Sequence, residues 1–221
     1  MFDNIVAVLP EIRVALVETL YMLFVTVGFA IVLGLPLGTL LYYCRPGSLI
    51  KAPFISFVLN GIVNLVRSFP FLILLVALIP VTRFIVGTSI GTTAATVPMI
   101  VGAVPYFARL VEQTFLEVNR GTIEAAESMG ATHVQIIWKV LYGEARSGIA
   151  GAITIITVSF LSYSAMAGMV GGGGIGDFAI RYGYYRYQFD IMAFTIIIIV
   201  VFVQLLQFIG NYLVRKLDKR L

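Results

Sequence analysis

Few residues in this chain have the chemistry of a catalytic centre. It holds one histidine, His133, and one cysteine, Cys44. A zinc or iron–sulfur centre needs several converging ligands, so this pair argues against one. A single cysteine excludes an intrachain disulfide framework. The lysines are Lys51, Lys139, Lys216 and Lys219, and none sits in a G-x-x-x-x-G-K-[ST] loop. The chain is therefore not expected to hydrolyse ATP by a P-loop mechanism. Gly171 to Gly176 reads GGGGIG and formally fits G-x-G-x-x-G. It follows a long apolar run rather than a strand of a βαβ unit, so the dinucleotide reading is rejected. The glycines are read instead as sites of unusual backbone angles or close helix approach, in an exit loop able to yield when its neighbours move.

Two places with distinctive chemistry remain. The first is Arg67, within an otherwise apolar run from about Phe54 to Pro80. A lone Arg at the membrane centre costs at least ~2.5–3.5 kcal/mol. It must snorkel to the inner face, pair, or point into water. Snorkelling is the plainer reading; carbonyls freed near Pro70, or a substrate carboxylate, are the candidate partners otherwise. The second is the stretch IEAAESMGATHVQIIWKVLYGEARSG, Ile123 to Gly148. Thr122 is a plausible N-cap and Glu124 lies in the first turn, where a negative charge suits the helix dipole. A short helix can run to Met129 and end at Gly130 in the left-handed conformation. Thr132 and Gln135 form a capping-box pattern that starts a new helix. Helices this short are marginal alone in water, so one must dock on something. The i/i+4 pairs Ala125–Met129 and Ala126–Gly130 make a low-relief face, with Glu124 free at the exposed end.

The surrounding elements must lie in lipid. The 221 residues are 60% hydrophobic and only 12% charged, with a mean hydropathy of +1.00. About 25% charged is usual for a soluble domain. Roughly 20 apolar residues cross a bilayer as a helix. The expected spans are residues 19–44, 54–80, 84–108, 147–170 and 191–214 of one transmembrane domain, with a loop at 109–146. The N-terminus lacks a basic region and a small-residue cleavage site, so it is not read as a signal peptide. With the N-terminus outside, the inner segments hold Arg45, Lys51, Arg109, Arg120, Lys139, Arg146, Arg215, Lys216, Lys219 and Arg220, against Arg13, Arg83, Arg181 and Arg186 outside. This bias predicts N-out and C-in, with the 109–146 loop cytoplasmic. It also accounts for the net charge of +4 without nucleic acid.

Within the membrane, Gly91, Ala95, Pro98, Gly102 and Pro105 fall on one helical stripe ending at Arg109. Small residues permit close helix approach, and prolines bend a helix and free carbonyls. Tight packing is the main expectation there, and a translocation lining the second. Gly34 and Gly38 are read as packing sites, as are Ser147, Gly148, Gly151 and Ala152. Thr154, Thr157, Ser159, Ser162 and Ser164 make the fourth span hydroxyl-rich, and such helices are rarely wholly lipid-facing.

These residues carry a resemblance. EAA at 124–126, three residues, Gly130, nine residues and then VLYG resembles the EAA loop of ABC-importer permeases, whose pattern is EAA-x3-G-x9-I-x-L-P. Val140 stands for Ile, while Tyr142 and Gly143 replace Leu and Pro, a departure at the C-terminal end of the loop. RSFPF, VGTSIGTTAATVP, YSAMAGMVGGGGIG and YGYYRY are similar to the methionine-uptake members of that family, so the resemblance covers nearly the whole chain. It implies an all-α integral membrane fold of the type I importer permeases, with five transmembrane helices and a cytoplasmic coupling helix. It implies a homodimer in a bacterial inner membrane, with two copies of an ATPase subunit that bind ATP and Mg, docked through Glu124, Ala125, Ala126 and Gly130. A binding protein or lipoprotein would deliver the amino acid outside. No cofactor is expected in this chain. The gate and path are assigned to Tyr163, Ser164, Met166, Arg67 and Pro98, with filling of core space as the alternative role of Met166. An ion-gradient-driven amino-acid transporter is the alternative function, but no repeat is seen and no acidic residue is placed mid-span. A structural membrane protein would not need the loop, and no cluster for enzyme chemistry exists.

Overall fold

The structure, a computed structural model, describes residues 2–45 and 52–218. Lys51, Lys219 and Arg220, three of the inner charges used for orientation, lie outside the described residues. The elements are α1 (Phe2–Cys44), α2 (Pro53–Ser68), α3 (Phe71–Ala77), α4 (Ile79–Val86), α5 (Thr92–Leu116), α6 (Arg120–Ser128), α7 (His133–Gln135), α8 (Tyr142–Glu144), α9 (Arg146–Ala167), α10 (Gly174–Phe178) and α11 (Phe189–Leu217). Wider, π-helical turns occupy Ile136–Leu141, Gly168–Gly172 and Ala179–Tyr185. Four helices are long and apolar enough to cross a membrane, and the bent pair α2–α3 makes a fifth if counted as one span. The fold is all-α and integral to the membrane.

The first span was expected to begin at Thr19, yet α1 is helical from Phe2. Its 43 residues extend about 65 Å, twice the hydrocarbon core. The charges at Glu11 and Glu18 do not end the helix because each has a partner. Glu18 accepts the Gly174 N–H (2.7 Å), and Thr19 Oγ1 accepts that of Ile175 (2.9 Å). Glu11 accepts the Tyr182 hydroxyl, which holds the Tyr182 pKa above its ordinary value, with burial adding to the shift. Between these polar ties, Val8, Ile12 and Ala15 pack with Ile175, Phe178, Tyr182 and Ile191 in a separate small core.

The expected 54–80 span is broken at Pro70, where the sequence places a proline. Phe69 is extended ahead of Pro70, as a pre-proline residue prefers, and α3 leaves α2 at 102°. The expected 84–108 span is also cut. Gly87 (φ 86°) ends α4 and Gly91 (φ 107°) precedes α5. Then α5 runs to Leu116, beyond the expected end at Ala108, and carries Arg109 and Glu112 inside a helix.

The main core forms where α5 packs between α1 and α9, around Met22, Met99, Phe107, Phe115 and Phe160. The small residues act as expected. A Cβ on Gly38 would come 2.6 Å from the Ala108 carbonyl oxygen, and one on Gly34 would come 2.9 Å from Phe107. Ala95, Pro98 and Pro105 of the α5 stripe are buried, while Gly91 has open space around it and lines a crevice with Ala95 and Pro98. The glycine string permits close approach, one of the two roles expected of it. Its Gly172 and Gly176 are pressed against the backbone or Cβ of Ala167 and Ala165. The first turn of α10 is clasped by Glu18 and Thr19.

Candidate coupling loop and membrane path

The loop between α5 and α9 is built as two linked helical pieces. Asn119, rather than the expected Thr122, caps α6: its Oδ1 accepts the Gly121 N–H (2.9 Å). Ile123 and Ala126 face inward and are buried. Glu124, Ala125 and Met129 face outward, with Met129 82% exposed. The expected low-relief face is therefore split, since Ala126 packs on its own chain while Ala125 and Met129 remain open. Gly130 takes the left-handed conformation (φ 79°), and the Ala131 N–H returns to the Ala126 carbonyl (3.0 Å). Both arms of the Thr132–Gln135 capping box form.

The second piece does not stand off as a free helix. His133–Gln135 continues through the wide turns of Ile136–Leu141 into α8 and then α9. Tyr142, where the family pattern has Leu, anchors this end. Its hydroxyl shares a 2.8 Å hydrogen bond with Thr39 on α1. Its ring stacks on Trp138 at 5.1 Å and meets the edge of Phe115 at 5.3 Å. Gly143 introduces no positive φ. Where the family pattern has Leu-Pro, this end of the loop is held by aromatic contacts and one hydrogen bond. Thr39 and Tyr43, whose hydroxyl reaches the His133 carbonyl (3.5 Å), had no sequence signal beyond lying near the end of an apolar run. The loop's outer surface keeps Met129, Val134 and Trp138 exposed.

The second set of residues lies along α2, α3, α5 and α9. Arg109 donates to Glu112 (2.5 Å), Asn60 (2.9 Å) and Asn64 (3.0 Å), tying α5 to α2. Glu112 is the acidic residue inside an apolar helix that the shorter expected span left out; it is buried and neutralised by this pair. Arg67 lies in the last turn of α2, about 21 Å along the helix from Pro53. Its guanidinium carbon sits 5.7 Å from the centroid of the Tyr106 ring. Tyr106 meets Phe160 (6.4 Å), Phe160 meets Tyr163 (4.9 Å), and Tyr163 stacks on Phe71 (4.6 Å, 9° between planes). Ser164 is buried and bonds back to Leu161 O (2.7 Å), a local bond that leaves it little to offer a ligand. Met166 is 42% exposed, on the same side of α9 as the exposed Ser162 and Met169. Pro98 is away from this group, in a crevice with Leu75, Ala95, Ala167 and Gly172. The structure therefore brings Arg67 and Tyr163 into one aromatic network and places Ser164 and Pro98 in packing positions.

Residues 30–221 match the family described as binding-protein-dependent transport system inner membrane component. The chain is 53% identical to the "Probable D-methionine transport system permease protein MetI" of Vibrio cholerae, over 92% of this chain and 90% of that one. It is 47% identical to the protein of the same description from Pasteurella multocida, over 92% and 94%. Among solved structures, a chain of the MetNI methionine ABC transporter in an inward-facing conformation superposes with a TM-score of 0.94 at 46% identity, covering 96% of this chain and 99% of that one. The chain belongs to the family of binding-protein-dependent transport system inner membrane components.

Proposed function

We propose that this chain is the membrane-spanning permease subunit of an ABC importer for methionine or a closely related amino acid. The observation that carries this reading is near-complete superposition, at 46% identity, on the permease-like chain of a methionine ABC transporter. Two copies of the chain would form the path. Two copies of a separate ATPase would bind ATP and Mg and dock on α6, and a binding protein or lipoprotein would deliver substrate at the outer face. No nucleic acid is involved. The bias of Lys and Arg supports a cytoplasmic α6 and C-terminus with the N-terminus outside.

In this reading Glu124, Ala125 and Gly130 shape the contact with the ATPase, and Ala126 seats the helix on its own chain. Closing of the ATPase pair on ATP would move the α6 helices. The π-helical turns and Tyr142 would pass the movement to α9 as a rigid-body rotation. Arg67, Tyr163 and Met166 lie toward the path. Ser164 and Pro98 support it from behind. The exposed apolar surface of Met129, Val134 and Trp138 fits a protein partner better than water. The ion-gradient alternative finds less support, because Glu112 is held by Arg109 and two asparagines rather than open to an ion. Affinity purification from native membranes tests the proposal: a P-loop ATPase in equal amount is expected, and its absence from an intact, transporting preparation would refute it.

A further inference from the structure

Arg67 on α2 and Arg109 on α5 are engaged very differently. Arg109 has a carboxylate and two amide oxygens. Among the described residues, the recorded contact of Arg67 is the Tyr106 ring alone, and its side chain is exposed. At 5.7 Å the ring attracts the charge but accepts none of the in-plane N–H groups as a hydrogen-bond partner of good geometry. Such donors cannot rest against lipid tails without a cost of several kcal/mol, ~2.5–3.5 or more. They face water or a ligand, and the ligand that matches a planar fork of N–H donors is a carboxylate or a phosphate.

We propose that Arg67 binds the α-carboxylate of the amino acid in transit, making this a membrane-embedded way-station; the proposal rests on the importer reading above. The neighbouring rings fit the rest of such a solute. Tyr106, Tyr163 and Phe71, each partly buried, pack around the fully buried Phe160 and give an aromatic surface beside Arg67. Aromatic faces attract an ammonium group, and aromatic edges accept a thioether at about 5 Å. Met166, one turn beyond Tyr163, adds a soft apolar surface on the exposed side of α9. The break at Ser68–Pro70 ends α2 directly after Arg67, and the chain turns there by 102° into α3. Tyr106 is the positioning residue: it orients the guanidinium without touching the carboxylate.

The test uses the full complex, with ATPase and binding protein, in proteoliposomes, reading methionine uptake and ATP hydrolysis together. Arg67→Gln is expected to lower substrate moved per ATP at least about tenfold, the loss of one charge-assisted hydrogen bond. Binding-protein-stimulated hydrolysis should stay near wild type. Arg67→Lys should fall between the two, since it keeps the charge and loses the fork. Tyr106→Phe should be nearly silent and Tyr106→Leu should be impaired. Unchanged uptake per ATP in Arg67→Gln would overturn the proposal, as would a proportional loss of uptake and hydrolysis, which marks a structural role. A defect that vanishes in vesicles without anionic phospholipid would overturn it too, assigning Arg67 to a lipid headgroup. Wild-type complex that hydrolyses ATP but moves no amino acid would refute the importer reading itself.

Discussion

At the scale of single residues, α6 separates two jobs that the sequence wrote side by side. Ala125 and Ala126 are identical neighbours in a motif, yet one is open and the other buried. Ala125→Leu should leave the chain as stable as wild type and reduce ATPase co-purification. Ala126→Leu should loosen the loop on its own chain, read as faster proteolysis within residues 117–145. The reverse pattern would refute this division. Glu124→Lys should leave insertion intact and abolish stimulated hydrolysis. Gly130 at φ 79° is a different case. Any L side chain there costs about 1–2 kcal/mol, so Gly130→Leu should unseat the turn and uncouple transport. Normal uptake in both the Glu124 and Gly130 variants would argue strongly against the loop's role. The glycine turn and the capping box were legible because each is a local pattern with one conformational answer. The inward turn of Ala126 was not, because it depends on the wide turns of Ile136–Leu141 packing against the helix.

At the scale of elements, apolar runs located the helices, but their ends were set by interactions distant in sequence. The start of α1 was hidden because Glu11 and Glu18 look like a polar terminus until Tyr182 and Gly174 are brought to them. The kink at Pro70 was readable from its chemistry. The cut between α4 and α5 was not recognised, although Gly87 and Gly91 caused it. Wide helical turns leave no pattern in a sequence. The glycines of α1 were legible from spacing, and they carry a firm expectation. Gly38→Leu must push Ala108 and Val111 aside on α5, and overpacking of this kind costs about 1–3 kcal/mol. The measurement is thermal stability of the purified protein in detergent, with Gly28→Leu, which meets open space, as the control. At the loop end, Tyr142→Phe removes the bond to Thr39 but keeps the ring contacts. It should cost about 0.5–1.5 kcal/mol and lower the transport rate without loss of ATPase binding. A rate equal to wild type would show that the Thr39 bond carries no movement.

At the scale of the whole molecule, the chain is a set of packed helices with a rigid centre and two distinct ends. One end carries the α1 extension clasped to α10 and the following turns. The other carries a small helix, α6, with one side buried and the other exposed. Nothing in the described residues groups three or more metal-binding side chains, and the acidic residue inside α5 is already paired. The most direct measurement is accumulation of radiolabelled methionine in proteoliposomes, with binding protein supplied on the outer side. Vesicles holding this chain alone, with an imposed proton or sodium gradient, should show no uphill accumulation. Vesicles holding it with its ATPase and ATP should show it. Uphill transport by the chain alone would contradict the account.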